Sequence, residues 1–130
     1  GLLVRLVELV KHTNAKQSQD LERVQPIVDH LHRHYAKLTP RAEMARMLCL
    51  SEPRFNVIFK QATGMSPSNY LKDIRLRHAQ RLLTHSNRGV AEIARDVGFE
   101  DPFHFSRTFK RALGVSPKQY RQAESETCLG

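Results

Sequence analysis

Apolar residues return at three- and four-residue steps along most of the chain, the spacing that gathers them on one face of an α-helix. Leu2, Leu3, Leu6, Leu9 and Val10 form the first series, with Arg5, Glu8 and Lys11 on the other side. The next, Val24, Ile27, Val28, Leu31 and Tyr35, starts only after a polar stretch from His12 to Asp20 that has no apolar period and reads as a linker or a frayed helix end. A boundary is placed there: residues 1–20 as an N-terminal helix and linker, 21–122 as the main domain, and 123–130 as a polar, mobile tail. Pro26 then fits only if it lies in a first helical turn.

Beyond Thr39 a side-chain oxygen repeatedly stands just before a proline, in Thr39-Pro40, Ser66-Pro67, Asp101-Pro102 and Ser116-Pro117, with Ser51 and Pro53 as a looser case. This is the signature of an N-cap followed by a proline whose fixed φ suits the first helical position and whose missing N–H costs nothing there. Gly64 and Gly114 stand where helices should stop. The spacing predicts helices over 24–37, 40–48, 52–63, 67–85, 90–97, 102–113 and 117–122, in addition to the N-terminal one. No useful length alternates with period two. The expected fold is therefore all-α, with about seven helices plus the extra N-terminal helix.

An internal repeat organises these helices. Residues 42–50 match 91–99 at four of nine positions, and 55–70 match 105–120 at eight of sixteen: Phe55, Phe59, Lys60, Ala62, Gly64, Ser66, Pro67 and Tyr70. Chance would supply about one or two identities over such lengths. Each copy reads as a short helix, a tight turn and a second helix of about three turns, the layout of a helix-turn-helix. Ala45 and Ala94 are small where the two helices must cross. Gly98 fills the turn position that favours positive φ, and the first copy has Cys49 there, so that turn is expected to be strained or differently shaped.

Charge narrows the choice of partner. Lys and Arg number 21 against 13 Asp and Glu, a net charge of +8 that favours a polyanion. No apolar run approaches the roughly 20 residues needed to cross a bilayer, so an integral membrane protein is not expected. Cys49 and Cys128, the two cysteines, suggest neither a disulfide scaffold nor a secreted chain, and a cytoplasmic setting fits better. The first residue, Gly1, hints at a fragment or a tag scar. Between Phe103 and Gln122 stand Arg107, Lys110, Arg111, Lys118 and Arg121 with no acid; between Pro53 and Lys72 stand Arg54, Lys60 and Lys72, again with no acid. Cations beside phosphates release condensed counterions, which gives salt-dependent affinity with little sequence preference.

The motif Ala91-Glu92-Ile93-Ala94-Arg95-Asp96-Val97-Gly98-Phe99, followed by Asp101-Pro102-Phe103-His104-Phe105-Ser106-Arg107-Thr108-Phe109-Lys110, Gly114-Val115-Ser116-Pro117 and Tyr120-Arg121, resembles the AraC/XylS family of bacterial transcription regulators. The resemblance covers about residues 21–122. It implies a DNA-binding domain of two helix-turn-helix units, about 40–63 and 90–113, joined by a linker helix at about 67–85. It also implies promoter DNA as partner, activation through RNA polymerase, and a small-molecule effector and homodimer contact supplied only by an upstream domain, of which the N-terminal helix would be the last piece. A stray end that packs on the core or frays is the other reading of that helix. The family commonly has an arginine or another polar residue where this chain has Val57. The first unit is then expected to read a T-rich step by apolar contact, or to add less to specificity. Pro53 likewise removes a polar side chain at the leading edge.

Specificity must come from the exposed face of each second helix, near its N-terminal half. With Phe55, Ile58 and Phe59 assigned to the core, the first copy offers Arg54, Asn56 and Val57 as base contacts, and Lys60 for phosphate. Asn56 suits an adenine edge, Arg54 guanine or phosphate, and Val57 a thymine methyl. The second copy offers Phe103, His104, Ser106 and Arg107, with Arg107 the best candidate for a bidentate guanine contact. Phe103 is equally compatible with the core, and His104 with a partly exposed ring filling the turn. Lys72, Lys110, Arg111, Lys118 and Arg121 complete the phosphate set. A linker helix of about 19 residues spans roughly 28 Å, which suits two recognition helices in major grooves about one turn, near 34 Å, apart on one face of DNA. Some bending of the DNA is expected with it.

Other chemistries fit poorly. His30 and His34 are spaced to share a metal ion, but no carboxylate or cysteine at suitable spacing completes a site. Cys49 has no His-Asp pattern near it, and the scattered glycines form no phosphate-cradling loop, so neither catalysis nor a metal or cofactor is expected. The competing function is a non-enzymatic architectural or interaction domain that holds nucleic acid loosely and without sequence preference.

Overall fold

The computed structural model describes the backbone of residues 2–129 and the side chains of residues 15–125. Among the described residues there are seven helices and no strand: α1 (Leu2–Arg33), α2 (Arg41–Met47), α3 (Glu52–Thr63), α4 (Pro67–His85), α5 (Val90–Asp96), α6 (Pro102–Leu113) and α7 (Pro117–Leu129). The all-α expectation holds, and α3, α4 and α6 have the expected limits. None of the described helices is long and apolar enough to cross a membrane.

Two elements are longer than expected. The polar stretch 12–20 is helical, so the two N-terminal helices are one, α1, of 32 residues. Nothing in that stretch breaks a helix, and Ala15, Lys16, Gln17 and Gln19 favour one without any apolar face. Pro26 consequently lies inside α1 rather than in a first turn. It removes one backbone donor, but Pro26 and Glu22, whose carbonyl loses its partner, are both exposed, so water can take up that oxygen. The tail expected to be mobile continues α7 as helix to Leu129. The side chains of the Leu2, Leu3, Leu6, Leu9 and Val10 stripe lie outside the described residues. So does the side chain of Cys128.

The chain forms two compact units. The first contains α1, α2, α3 and the start of α4 as far as Tyr70; the second contains His34–Leu38, the rest of α4, α5, α6 and α7. In the first, α3 packs on both α1 and α2. Its buried residues include Val24, Ile27, Val28 and Leu31 from α1, Met44 and Ala45 from α2, and Phe55, Ile58, Phe59 and Ala62 from α3. In the second, Leu76, Ala79 and Leu83 of α4, Ile93, Ala94 and Val97, and Phe99, Phe105 and Phe109 make one core. Ala45 and Ala94 are both buried, as expected of a close helix crossing.

The turns of the two copies share one hydrogen-bond pattern. Leu50 N–H donates to Ala45 O at 2.9 Å and Phe99 N–H to Ala94 O at 2.8 Å, each reaching back five residues. This is the closure that requires a left-handed residue just before the donor. That residue is Gly98 at φ 106° in one copy and Cys49 at φ 56° in the other, the only described non-glycine residue with positive φ.

Most of the expected caps form. Ser51 Oγ accepts from Arg54 N–H at 3.3 Å, Ser66 Oγ from Asn69 N–H at 3.2 Å, Asp101 Oδ1 from Phe103 N–H at 2.9 Å and Ser116 Oγ from Gln119 N–H at 3.1 Å. Thr39 does not cap. Its hydroxyl lies 2.9 Å from His30 Nε2, and α2 begins one residue later than expected, with Pro40 as a cap that makes no side-chain bond.

Candidate nucleic-acid interface

Each second helix of the repeat is fixed by one buried stripe and leaves the opposite face outside. In α3 the stripe is Phe55, Ile58, Phe59 and Ala62; the Phe55 and Phe59 rings lie 5.6 Å apart, and Phe59 meets Tyr70 edge-on at 5.4 Å. In α6 the fully buried pair is Phe105 and Phe109. Phe105 packs against Phe99 at 5.2 Å and Phe109 against Tyr120 at 5.5 Å, both edge-on. The phenylalanine pair and the following tyrosine that pin each helix are shared by the repeat, whereas on the outer faces only Lys60 and Lys110 are.

On α3 that face carries Arg54, Val57 and Lys60, all exposed. Asn56 is only half exposed, and its Oδ1 is enclosed without a hydrogen-bond partner. Bidentate pairing with adenine needs both ends of the amide, so the adenine expectation for Asn56 does not fit this rotamer. On α6 the face carries Phe103, His104, Arg107, Lys110 and Arg111, all exposed, with Ser106 half-buried. Phe103, for which a core position was equally open, is 77% exposed and belongs to the outer face. At 100° per residue, Phe103, Arg107 and Lys110 fall on one side of α6. His104 lies 5.7 Å from the Phe99 ring, covering it from the turn while staying open to solvent.

Lys72 on α4 and Lys118 in the first turn of α7 are exposed. Arg121 is a correction. Its Nε donates to Leu83 O at 3.0 Å, and its Nη2 to Ser86 O at 3.3 Å and to Arg88 O at 2.6 Å. These carbonyls lie at and just beyond the end of α4, where helix oxygens lack partners and the helix dipole favours a cation. Arg121 therefore leaves the phosphate set and joins the scaffold.

Sequence reasoning missed two arginines. Arg75 of α4 and Arg95 of α5 join His104 and Arg107 around an open cleft of about 900 Å³ beside the second turn, together with Glu100 and Asp101. Arg75 Nε donates to Tyr35 O at 2.7 Å, and its guanidinium lies 5.9 Å from the centre of the Phe99 ring. Burial lowers its pKa below the ordinary arginine value. Nothing in the local pattern marks Arg75, whose partner is 40 residues away. Arg95 had a signal: it is repeated as Arg46, and both are exposed. Of the His30 and His34 pair, His30 Nε2 lies 2.9 Å from the Thr39 hydroxyl, and the neighbouring His32 Nε2 lies 3.2 Å from the Tyr70 hydroxyl.

Comparison with known proteins agrees with this geometry. A helix-turn-helix domain family matches residues 44–123. The chain is 35% identical over 126 residues to the HTH-type transcriptional activator RhaR of Yersinia pestis bv. Antiqua, covering 93% of this chain and 43% of that protein. It is 33% identical over 100 residues to the lactose operon transcription activator of Staphylococcus xylosus, covering 77% and 36%. The chain thus spans well under half the length of these curated relatives. Among solved structures it is similar to the DNA-binding domain of AdpA, a global transcriptional factor in complex with a target DNA, with a TM-score of 0.73 and 32% identity over 77% of this chain and 90% of that one.

Proposed function

The chain belongs to the AraC/XylS family of helix-turn-helix transcription regulators, and we propose that it binds double-stranded DNA sequence-specifically by placing α3 and α6 in major grooves. The observation that carries this reading is the outer face of α6. A capped helix is sealed on one side by Phe105 and Phe109 and presents Phe103, Arg107, Lys110 and Arg111 on the other without a single acid. Such a face matches a groove walled by phosphates and floored by base edges. The outer face of α3 repeats the plan with Arg54, Val57 and Lys60. The 19 residues of α4 span roughly 28 Å.

The domain division follows: residues 21–122 as the DNA-binding domain, and residues 1–20 as the element through which it joins a sensing and dimerising part of a longer protein. In that longer protein a small-molecule effector and a second copy act through the other part, and promoter-bound protein activates transcription by touching RNA polymerase. A cytoplasmic setting follows from the DNA target. The family is one of regulators, not enzymes.

Titration against a duplex selected from a random pool and against scrambled duplexes, at several salt concentrations, tests the reading. Preference for the selected duplex that survives rising salt supports it. Equal affinity for every sequence would favour a loosely binding architectural domain instead.

A further inference from the structure

The outer faces of α3 and α6 each set an arginine one turn from an apolar side chain, in opposite order along the helix. On α6 the apolar residue, Phe103, stands in the first turn and Arg107 follows one turn later; on α3 Arg54 comes first and Val57 follows. The repeat pairs Phe103 with Pro53, Arg107 with Val57 and His104 with Arg54, so α3 carries an apolar side chain where α6 carries its arginine.

Folding does not account for the apolar members. Phe105 and Phe109 are fully buried and fix α6, whereas Phe103 is 77% exposed and Val57 is 48% exposed. Phe103 is nonetheless held in place, because its N–H donates to the Asp101 cap at 2.9 Å and so sets the ring at the leading end of the helix. Its surroundings limit what can cover it. Arg107, Lys110 and Arg111 share its helix with no acid, and Arg54 and Lys60 flank Val57. Apolar side chains set one turn from cations suit a polyanion that also displays an apolar group. In the major groove of DNA that group is the C5-methyl of thymine.

We infer that Phe103 and Val57 read thymine methyls, each next to a base pair contacted by the arginine one turn away, Arg107 or Arg54. This rests on the reading of α3 and α6 as groove-entering helices. The apolar residues read the methyls, the two arginines the neighbouring base pairs, and Lys60 and Lys110 hold the register through phosphates.

Deoxyuridine provides the test, since it lacks only the methyl and keeps every hydrogen-bonding edge of thymine. A preferred duplex is selected from a random pool, each thymine is replaced in turn, and the affinity of the 130-residue chain is measured at fixed salt. At one thymine the replacement should weaken binding about three- to fivefold, the worth of roughly one buried methylene-sized group. That sensitivity should vanish in Phe103→Ala and persist in Phe103→Leu. A second thymine should behave in the same way toward Val57→Ala. Circular dichroism should show unchanged helicity in all three variants. A preferred duplex with no methyl-dependent position, or methyl dependence that survives in both alanine variants, overturns the inference and leaves DNA reading intact. Absence of preference for any duplex overturns both.

Discussion

Cys49 and Gly98 occupy the same turn of the two copies and meet the same demand with different chemistry. Both sit in the left-handed region, where a Cβ crowds the following carbonyl. At Gly98 a Cβ would also lie 2.9 Å from the Arg75 guanidinium and 3.0 Å from the Ala36 backbone. Gly98→Ala therefore meets two penalties and should destabilise the fold by about 2–3 kcal/mol. Cys49→Gly removes the Cβ strain but loosens the unfolded chain, leaving a net gain of about 0.5 kcal/mol. Urea unfolding of the two variants should move in opposite directions from the parent, and a loss of stability in Cys49→Gly would show that its turn is relaxed. The outer-face residues separate in a different assay. Arg107→Ala should cost about 1–3 kcal/mol of binding and relax preference at one base pair, whereas Lys118→Ala should weaken all duplexes alike. A uniform loss in Arg107→Ala would take away its role in base reading.

At the scale of elements, Arg121 links the first turn and a half of α7 to the end of α4. Arg121→Ala leaves the carbonyls of Leu83, Ser86 and Arg88 without this donor and should lower stability by about 2–3 kcal/mol, seen as a lower urea midpoint. If Arg121→Ala left stability unchanged while weakening DNA binding, phosphate contact would be restored as its role. In sequence Arg121 was one more cation in an acid-free run, because its partners lie 33 to 38 residues away. Such contacts leave no local pattern, and the same holds for Arg75 and Tyr35. By contrast, the limits of α3, α4 and α6 were legible, since caps, prolines and terminal glycines act within a few residues of where they stand. The α1 break was misread for a related reason. Apolar periodicity reports which face is buried, not whether backbone is helical, and residues 12–20 are helical without needing a buried face. Pro26 inside that helix gives a further check: Pro26→Ala restores one backbone hydrogen bond at an exposed position and should raise stability by about 1–2 kcal/mol.

For the whole molecule, the candidate interface was legible where it depends on which residues face outward, and less so where it depends on how a side chain is oriented. Helical periodicity separated Arg54, Val57 and Arg107 from the core, but it left Phe103 open and could not show that Asn56 turns its oxygen inward or that Arg121 is used in the scaffold. Those differences change the expected electrostatics of binding. With Arg121 removed, the exposed phosphate candidates are Lys60, Lys72, Lys110, Arg111 and Lys118. Each phosphate neutralised contributes about −0.9 to the slope of log K against log salt concentration, so these five together give a slope of about −4.5. Lys110→Ala should make it shallower by about 0.9, while Arg121→Ala, measured where the variant is still folded, should leave it unchanged. A base-reading residue separates from both: Val57→Ala carries no charge change and should alter affinity at constant slope. Affinity titrations of these variants from low to moderate salt would therefore identify phosphate contacts by slope, and base contacts by a loss of affinity at constant slope with unchanged stability, and a slope shared by Lys110→Ala and the parent chain would show that α6 meets the DNA by a different face.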